Sequence, residues 1–199
     1  MTGAPSSPTW SAEREDRAAR AHAARRRALV ARPVALVGFM GAGKSAVGRE
    51  LAVLVDRPFV DTDALVEQRA GASVAELFAR GEPAFRALEH DAVRAALGGP
   101  PAVLALGGGA FAHPASARLL LEEALVVHLA VPWSAVRPLL AGLAEGRPLL
   151  RDRAPWEVED LYLRRAAVYR SAHLRVSPPR TSPAEAARVV AAVLGVGPS

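Results

Sequence analysis

Five short apolar runs punctuate the chain, and between them apolar positions recur every three or four residues. The first run, Val34 to Val37, stops at Gly38 and reads as a buried strand. From Lys44 to Val55 the residues Val47, Leu51 and Leu54 share one helical face, and Asp56 and Pro58 close the pattern. A second strand, Pro58 to Val60, runs into Asp61, Thr62 and Asp63. Helical patterns follow over Asp63 to Arg69, Ser73 to Ala79 and Pro83 to Leu97, broken at Gly71, Gly81 and Gly98. Ala102 to Leu106 reads as a third strand, ending in Gly107, Gly108 and Gly109; Leu125 to Leu129 reads as a fourth and Leu174 to Val176 as a fifth. Between and after them, helices are expected over Pro114 to Leu121, Ser134 to Ala141, Trp156 to Ala172 and Pro183 to Leu194. Because the strands are continuously apolar and alternate with helices, the pattern predicts an α/β fold with a parallel sheet covered on both faces. Ligands of such sheets bind beyond the carboxyl ends of the strands.

Composition narrows the class. With 199 residues, 51% hydrophobic and 23% charged, the chain is expected to form one globular domain with a sufficient core. The absence of cysteine excludes a thiol nucleophile, disulfides, Cys-ligated zinc and iron–sulfur clusters. Charged residues interrupt every apolar stretch before the 18 or so residues of a membrane span, so no membrane association is expected. The net charge of +5 is uneven: residues 1–32 hold seven arginines against Glu13, Glu15 and Asp16, and the remainder carries only +1. Residues 1–32 therefore read as a basic, solvated arm. Residues 33–199 read as the functional domain, for which no nucleic-acid partner is expected.

One count stands out: the 25 basic residues are 24 arginines and a single lysine, Lys44. It lies in Gly38-Phe39-Met40-Gly41-Ala42-Gly43-Lys44-Ser45, which fits G-x-x-x-x-G-K-[ST] between a predicted strand and a predicted helix. In that setting backbone N–H groups of Gly41, Ala42, Gly43 and the following residues surround a phosphate. Lys44 reaches the β and γ phosphates, and the Ser45 hydroxyl ligates Mg²⁺. A phosphate loop alone leaves GTPase, motor and kinase open. Asp63, just past the second strand, is placed to orient an acceptor hydroxyl or take its proton, with helix capping as its structural alternative, and Asp61 is placed to support the metal through water.

GFMGAGKS, then VGRELA, FVDTDALVE, GEPAFRALE, a strand ending in GGG, GRPLL and RRAAVY together resemble the shikimate kinases over about residues 34–194. The resemblance implies a P-loop kinase of the nucleoside-monophosphate-kinase type, with a five-stranded parallel sheet and a mobile lid near residues 142–154. It implies transfer of the ATP γ-phosphoryl to the 3-hydroxyl of shikimate, with Mg²⁺. Asp63 would contact the shikimate hydroxyls and act as base. Arg86 and Arg165 would hold its carboxylate, with Glu89 orienting Arg86 and the backbone of Gly108 and Gly109 approaching the ring. Arg147 would be the lid arginine on the nucleotide phosphates. A cytoplasmic monomer acting on ATP and shikimate in aromatic amino-acid biosynthesis is the expectation. The alternatives are a related small-molecule P-loop kinase and a nucleotide-binding regulator without turnover.

Two positions depart from the family pattern. Where the family carries Thr after the loop serine this chain has Ala46, whose remaining N–H still serves the nucleotide but whose missing hydroxyl weakens it. Ser177 stands where an acid is common. Arg151, Arg153 and Arg164 read as solvated surface charges. His90, His113, His128 and His173 read as structural or surface, and Phe111, Trp133 and Trp156 as core or lid packing.

Overall fold

Strand and helix alternate from Val34 onward, as continuous apolar runs set between amphipathic stretches require. The computed structural model describes residues 31–144, 150, 153–177, 179 and 182–196, together with 14, 16, 17 and 20. Among these, β1 (Val34–Val37), β2 (Phe59–Asp61), β3 (Val103–Ala105), β4 (Leu125–Leu129) and β5 (Leu174–Val176) form an all-parallel sheet in the order β2-β3-β1-β4-β5. Every residue of β1, β3 and β4 is buried, which requires cover on both faces.

The covering helices are α1 (Lys44–Leu54), α2 (Thr62–Ala70), α3 (Val74–Ala79), α4 (Glu82–Leu97), α5 (Pro114–Glu123), α6 (Trp133–Val136), α7 (Leu140–Ala144), α8 (Pro155–Tyr169) and α9 (Pro183–Leu194). α1 packs on α9, and α4 on α2, α3 and α5. A small second core of Val66, Leu77, Phe85 and Ala92 ties α2, α3 and α4 together, and so fixes what α4 presents to the sheet.

Register sets the site. Leu36 and Asp61 both lie opposite Ala105, so β2 and β3 end level and β1 one residue beyond them. Gly38, Asp63 and Gly107, each two residues further on, therefore leave the sheet along one edge.

Several boundaries differ from expectation for local reasons. β2 is shifted one residue, to Asp61, because Asp61 ends the strand and caps α2 at once. The helix expected over 134–141 is instead α6, a 3₁₀ turn at Arg137–Leu139 and α7, since Pro138 has no N–H to donate in mid-helix. Trp156 is 71% exposed, so it belongs neither to the core nor to a packed interface among the described residues, whereas Phe111 is buried. Arg32 donates to the carbonyls of Leu121 and Glu122 at the end of α5 and accepts from Arg57 through its own carbonyl, tying this part of the chain to the sheet's helices.

Candidate active site

Gly38 to Ser45 carries the chain from β1 into α1. Gly41 and Gly43 have φ of 81° and 79°, a region costly for any residue with a Cβ, and Gly43 is the N-cap of α1 with no side chain capping it. The N–H groups of the first turn are thus left to the loop, together with the positive end of the helix. Lys44 Nζ donates to the carbonyls of Gly38 (2.9 Å) and Phe39 (3.4 Å), which folds the ammonium back over the loop. Ala46 lies on the first turn of α1 and lines a cavity of about 160 Å³ with Gly41, Gly43, Val131, Pro179 and Pro183.

Asp61 joins this loop to the acceptor side. Its Oδ2 accepts from Ser45 Oγ at 2.6 Å, and its Oδ1 accepts from the N–H of Asp63 (3.1 Å) and of Ala64 (3.5 Å). The capping alternative considered for Asp63 is therefore met by Asp61, and the Asp63 side chain is not the cap. A hydroxyl and a carboxylate oxygen, both hard donors, fit a magnesium ion that takes its remaining ligands from phosphates and water.

The third strand brings a glycine turn against these acids. A Cβ at Gly107 would collide with the carboxylates of Asp63 and Glu89, so those two side chains close on its Cα. Thr62, fully buried, donates to the Ala105 carbonyl (3.3 Å) and accepts from the Gly107 N–H (2.9 Å), fastening α2 to the turn. Sequence reasoning assigned no role to Thr62; a hydroxyl between two acids at a strand end was the available signal.

Arg86 rises from α4, with its guanidinium carbon 5.3 Å from the Phe85 ring centroid. Its Nη1 pairs with Glu89 Oε2 at 2.7 Å and its Nη2 with Glu82 Oε1 at 2.9 Å. A Cβ at Gly109 would strike this guanidinium. From α8, Arg165 Nη1 donates to the Gly109 carbonyl at 3.4 Å and the Tyr169 hydroxyl to the Gly108 carbonyl at 3.2 Å. A Cβ at Gly108 itself would meet nothing within 4 Å, which is the open space a ligand beside the turn requires.

Burial and charge oppose each other here. Burial pushes the Glu89 carboxyl above the usual carboxylate range, against the pull of Arg86 and with the repulsion of Asp63. Burial also disfavours the Arg86 charge, but Glu89 and Glu82 outweigh it and hold its pKa above the ordinary value. Arg165 moves the other way, lowered by burial and by Arg86, yet an arginine remains a cation. Two guanidinium groups that repel each other beside one glycine make a place for an anion.

The sequence-predicted residues Gly41, Ala42, Gly43, Lys44, Ser45, Ala46, Asp61, Asp63, Arg86, Gly108, Gly109 and Arg165 thus gather along one edge of the sheet. Arg147 and most of the segment 142–154 lie outside the described residues. Of the arginines read as surface charges, Arg153 is exposed and Arg164 pairs with Asp160 at the surface, while Arg151 is outside the described residues.

A phosphate loop after the central strand and an acid-bearing helix after the edge strand of an all-parallel sheet are the architecture of the P-loop kinases. The shikimate kinase family model matches residues 40–194. A shikimate kinase of Thermus thermophilus is 44% identical over 149 residues, covering 72% of this chain and 79% of that protein. A solved shikimate kinase from Acinetobacter baumannii in complex with shikimate superposes with a TM-score of 0.76 at 31% identity, over 85% of this chain and 97% of that one. The chain belongs to the shikimate kinase family. A gluconokinase from Sinorhizobium meliloti, 18% identical with a TM-score of 0.52 over 83% of this chain and 92% of its own, shares the fold alone.

Proposed function

We propose that this protein transfers the γ-phosphoryl group of ATP to the 3-hydroxyl of shikimate, giving shikimate 3-phosphate and ADP in aromatic amino-acid biosynthesis. The carrying observation is the meeting of Asp63, Arg86 and Arg165 at the Gly107–Gly109 turn, level with the phosphate loop.

In this reading Arg86 and Arg165 grip the substrate carboxylate, and the planar forks fix the ring so that one hydroxyl faces the donor. Asp63 accepts the proton of that hydroxyl as its oxygen forms the new P–O bond and the bond to the ADP oxygen breaks. Lys44 and the loop N–H groups stabilise charge on the phosphates. Ser45 would ligate Mg²⁺ and Asp61 would support it through water; the ion supplies charge neutralisation on the phosphates when bound. The nucleotide base lies toward Ala46, Val131, Pro179 and Pro183. The family resemblance gives Arg147 the role of the lid arginine on the nucleotide phosphates.

The protein is read as a monomer acting on ATP and shikimate. No helix among the described residues is long and apolar enough to cross a membrane, and a reaction drawing on ATP and a free acid fits the cytoplasm.

An ADP-release assay with an acceptor panel tests the reading. Shikimate-dependent ADP formation with little response to gluconate is expected. Equal turnover of both would replace it with a broader small-molecule kinase, and nucleotide binding without acceptor-dependent ADP would replace it with a regulator.

A further inference from the structure

A second cavity, of about 860 Å³, opens between α8, the end of β4 and the end of β5. Its volume is that of a small-molecule site. Of the residues assigned to the reaction only Val131, on the nucleotide-base side, also lines it; the phosphate-loop segment contributes only Phe39, and α8 only the face carrying Tyr162, Ala166 and Tyr169.

Its lining has a definite chemistry. Trp133 and Tyr162 stand 5.5 Å apart between ring centroids, and Phe39 meets Tyr162 edge-on at 5.3 Å. Arg170 and Arg175 line the cavity and are solvent-exposed, and no Asp or Glu among the described residues lines it. At its inner wall His128, 8% exposed, leans on Tyr169 and leaves Nδ1 buried without a hydrogen-bond partner. Buried polar atoms are nearly always paired, so an orphan in a cavity wall marks where a ligand atom completes the set.

We propose that this cavity binds a planar aromatic carboxylate, its ring among Trp133, Tyr162 and Phe39, its charge toward Arg170 and Arg175, and His128 Nδ1 paired with a polar ligand atom. Aromatic walls select a flat apolar body, and two guanidinium groups without a counter-acid select a negative end. Burial and the Arg175 charge depress the His128 pKa to about 4, so the imidazole is neutral at physiological pH and able to donate or accept.

The site does not depend on the reaction assigned above, and its test needs no turnover. Calorimetric titration of the full chain uses 2-naphthoate and its neutral counterpart 2-naphthamide, with the His128 ring proton followed by NMR. Expected are saturable naphthoate binding, at least about tenfold weaker naphthamide binding, and a shift of the His128 signal. Binding should persist with shikimate and ADP present. The exposed double variant R170Q/R175Q should lose about tenfold in naphthoate affinity with acceptor-dependent ADP formation unchanged. No naphthoate binding, equal binding of the amide, displacement by shikimate plus ADP, or indifference to R170Q/R175Q would each overturn the proposal.

Discussion

Arg86 and Glu89 pair at 2.7 Å one helical turn apart, and the carboxylate is the deeper partner, with 2% of its side chain exposed against 12% for the guanidinium. Glu89 sits on the apolar stripe of α4, in line with Phe85, Ala92, Val93 and Ala96. A buried ion pair is an inefficient way to stabilise a fold, because desolvation offsets most of the attraction. Its value here is to hold a guanidinium fork in place under the glycine turn. Glu89→Gln, which keeps the volume and loses the charge, is expected to raise the KM for shikimate about tenfold with a smaller change in kcat, measured by steady-state kinetics. Glu89→Ala strands Arg86 and should lower unfolding stability by about 3 to 5 kcal/mol in urea titration.

Lys44→Ala and Asp63→Asn act on the group in flight. Each should lower kcat by about 10² to 10⁴ at saturating substrates while far-UV circular dichroism stays unchanged. A variant of either kind that keeps half the parental rate would remove that residue from the mechanism.

Arg165→Ala should raise the KM for shikimate, and Arg165→Lys should not restore it, since an ammonium cannot reproduce the paired N–H geometry. An unchanged shikimate KM in the alanine variant would take Arg165 out of the acceptor site.

How far these parts were readable in the chain depends on how local each one is. The phosphate loop is eight contiguous residues with obligatory chemistry, and continuous apolar runs announced the strands of a two-sided sheet. Asp63 and Arg86 were legible because they fall in recognisable blocks. Thr62 and Tyr169 were not, because their work is done across 40 or more residues of sequence, Thr62 on Gly107 and Tyr169 on Gly108. Glu89 carried a sequence signal of its own, a charged residue on an apolar helical stripe. The break at Pro138 was also written in the chain, and a purely periodic reading of 134–141 passed over it.

Ala46 exposes a different kind of consequence. Restoring a hydroxyl with Ala46→Thr beside the 160 Å³ cavity should add one hydrogen bond to the nucleotide, worth about 0.5 to 1.5 kcal/mol. The Kd for ATP should fall between about twofold and about tenfold in equilibrium titration.

His128 links stability to pH. Its folded pKa, about 4, lies below the ordinary 6.5, so the native state resists a proton that the unfolded chain accepts. This contribution is complete above pH 6.5 and is lost as pH falls toward 4. Urea denaturation at stepped pH should show a loss of about 2 to 3 kcal/mol across that interval, and His128→Phe should flatten this part of the profile.

The most direct test is the position of the phosphate on the product. After incubation with Mg²⁺, ATP and shikimate, a ³¹P–¹H correlation spectrum should connect the new phosphorus to the proton on carbon 3 of the ring. Correlation to another ring carbon's proton, or inorganic phosphate as the only new signal, would contradict an acceptor held by Arg86 and Arg165 with its hydroxyl at Asp63.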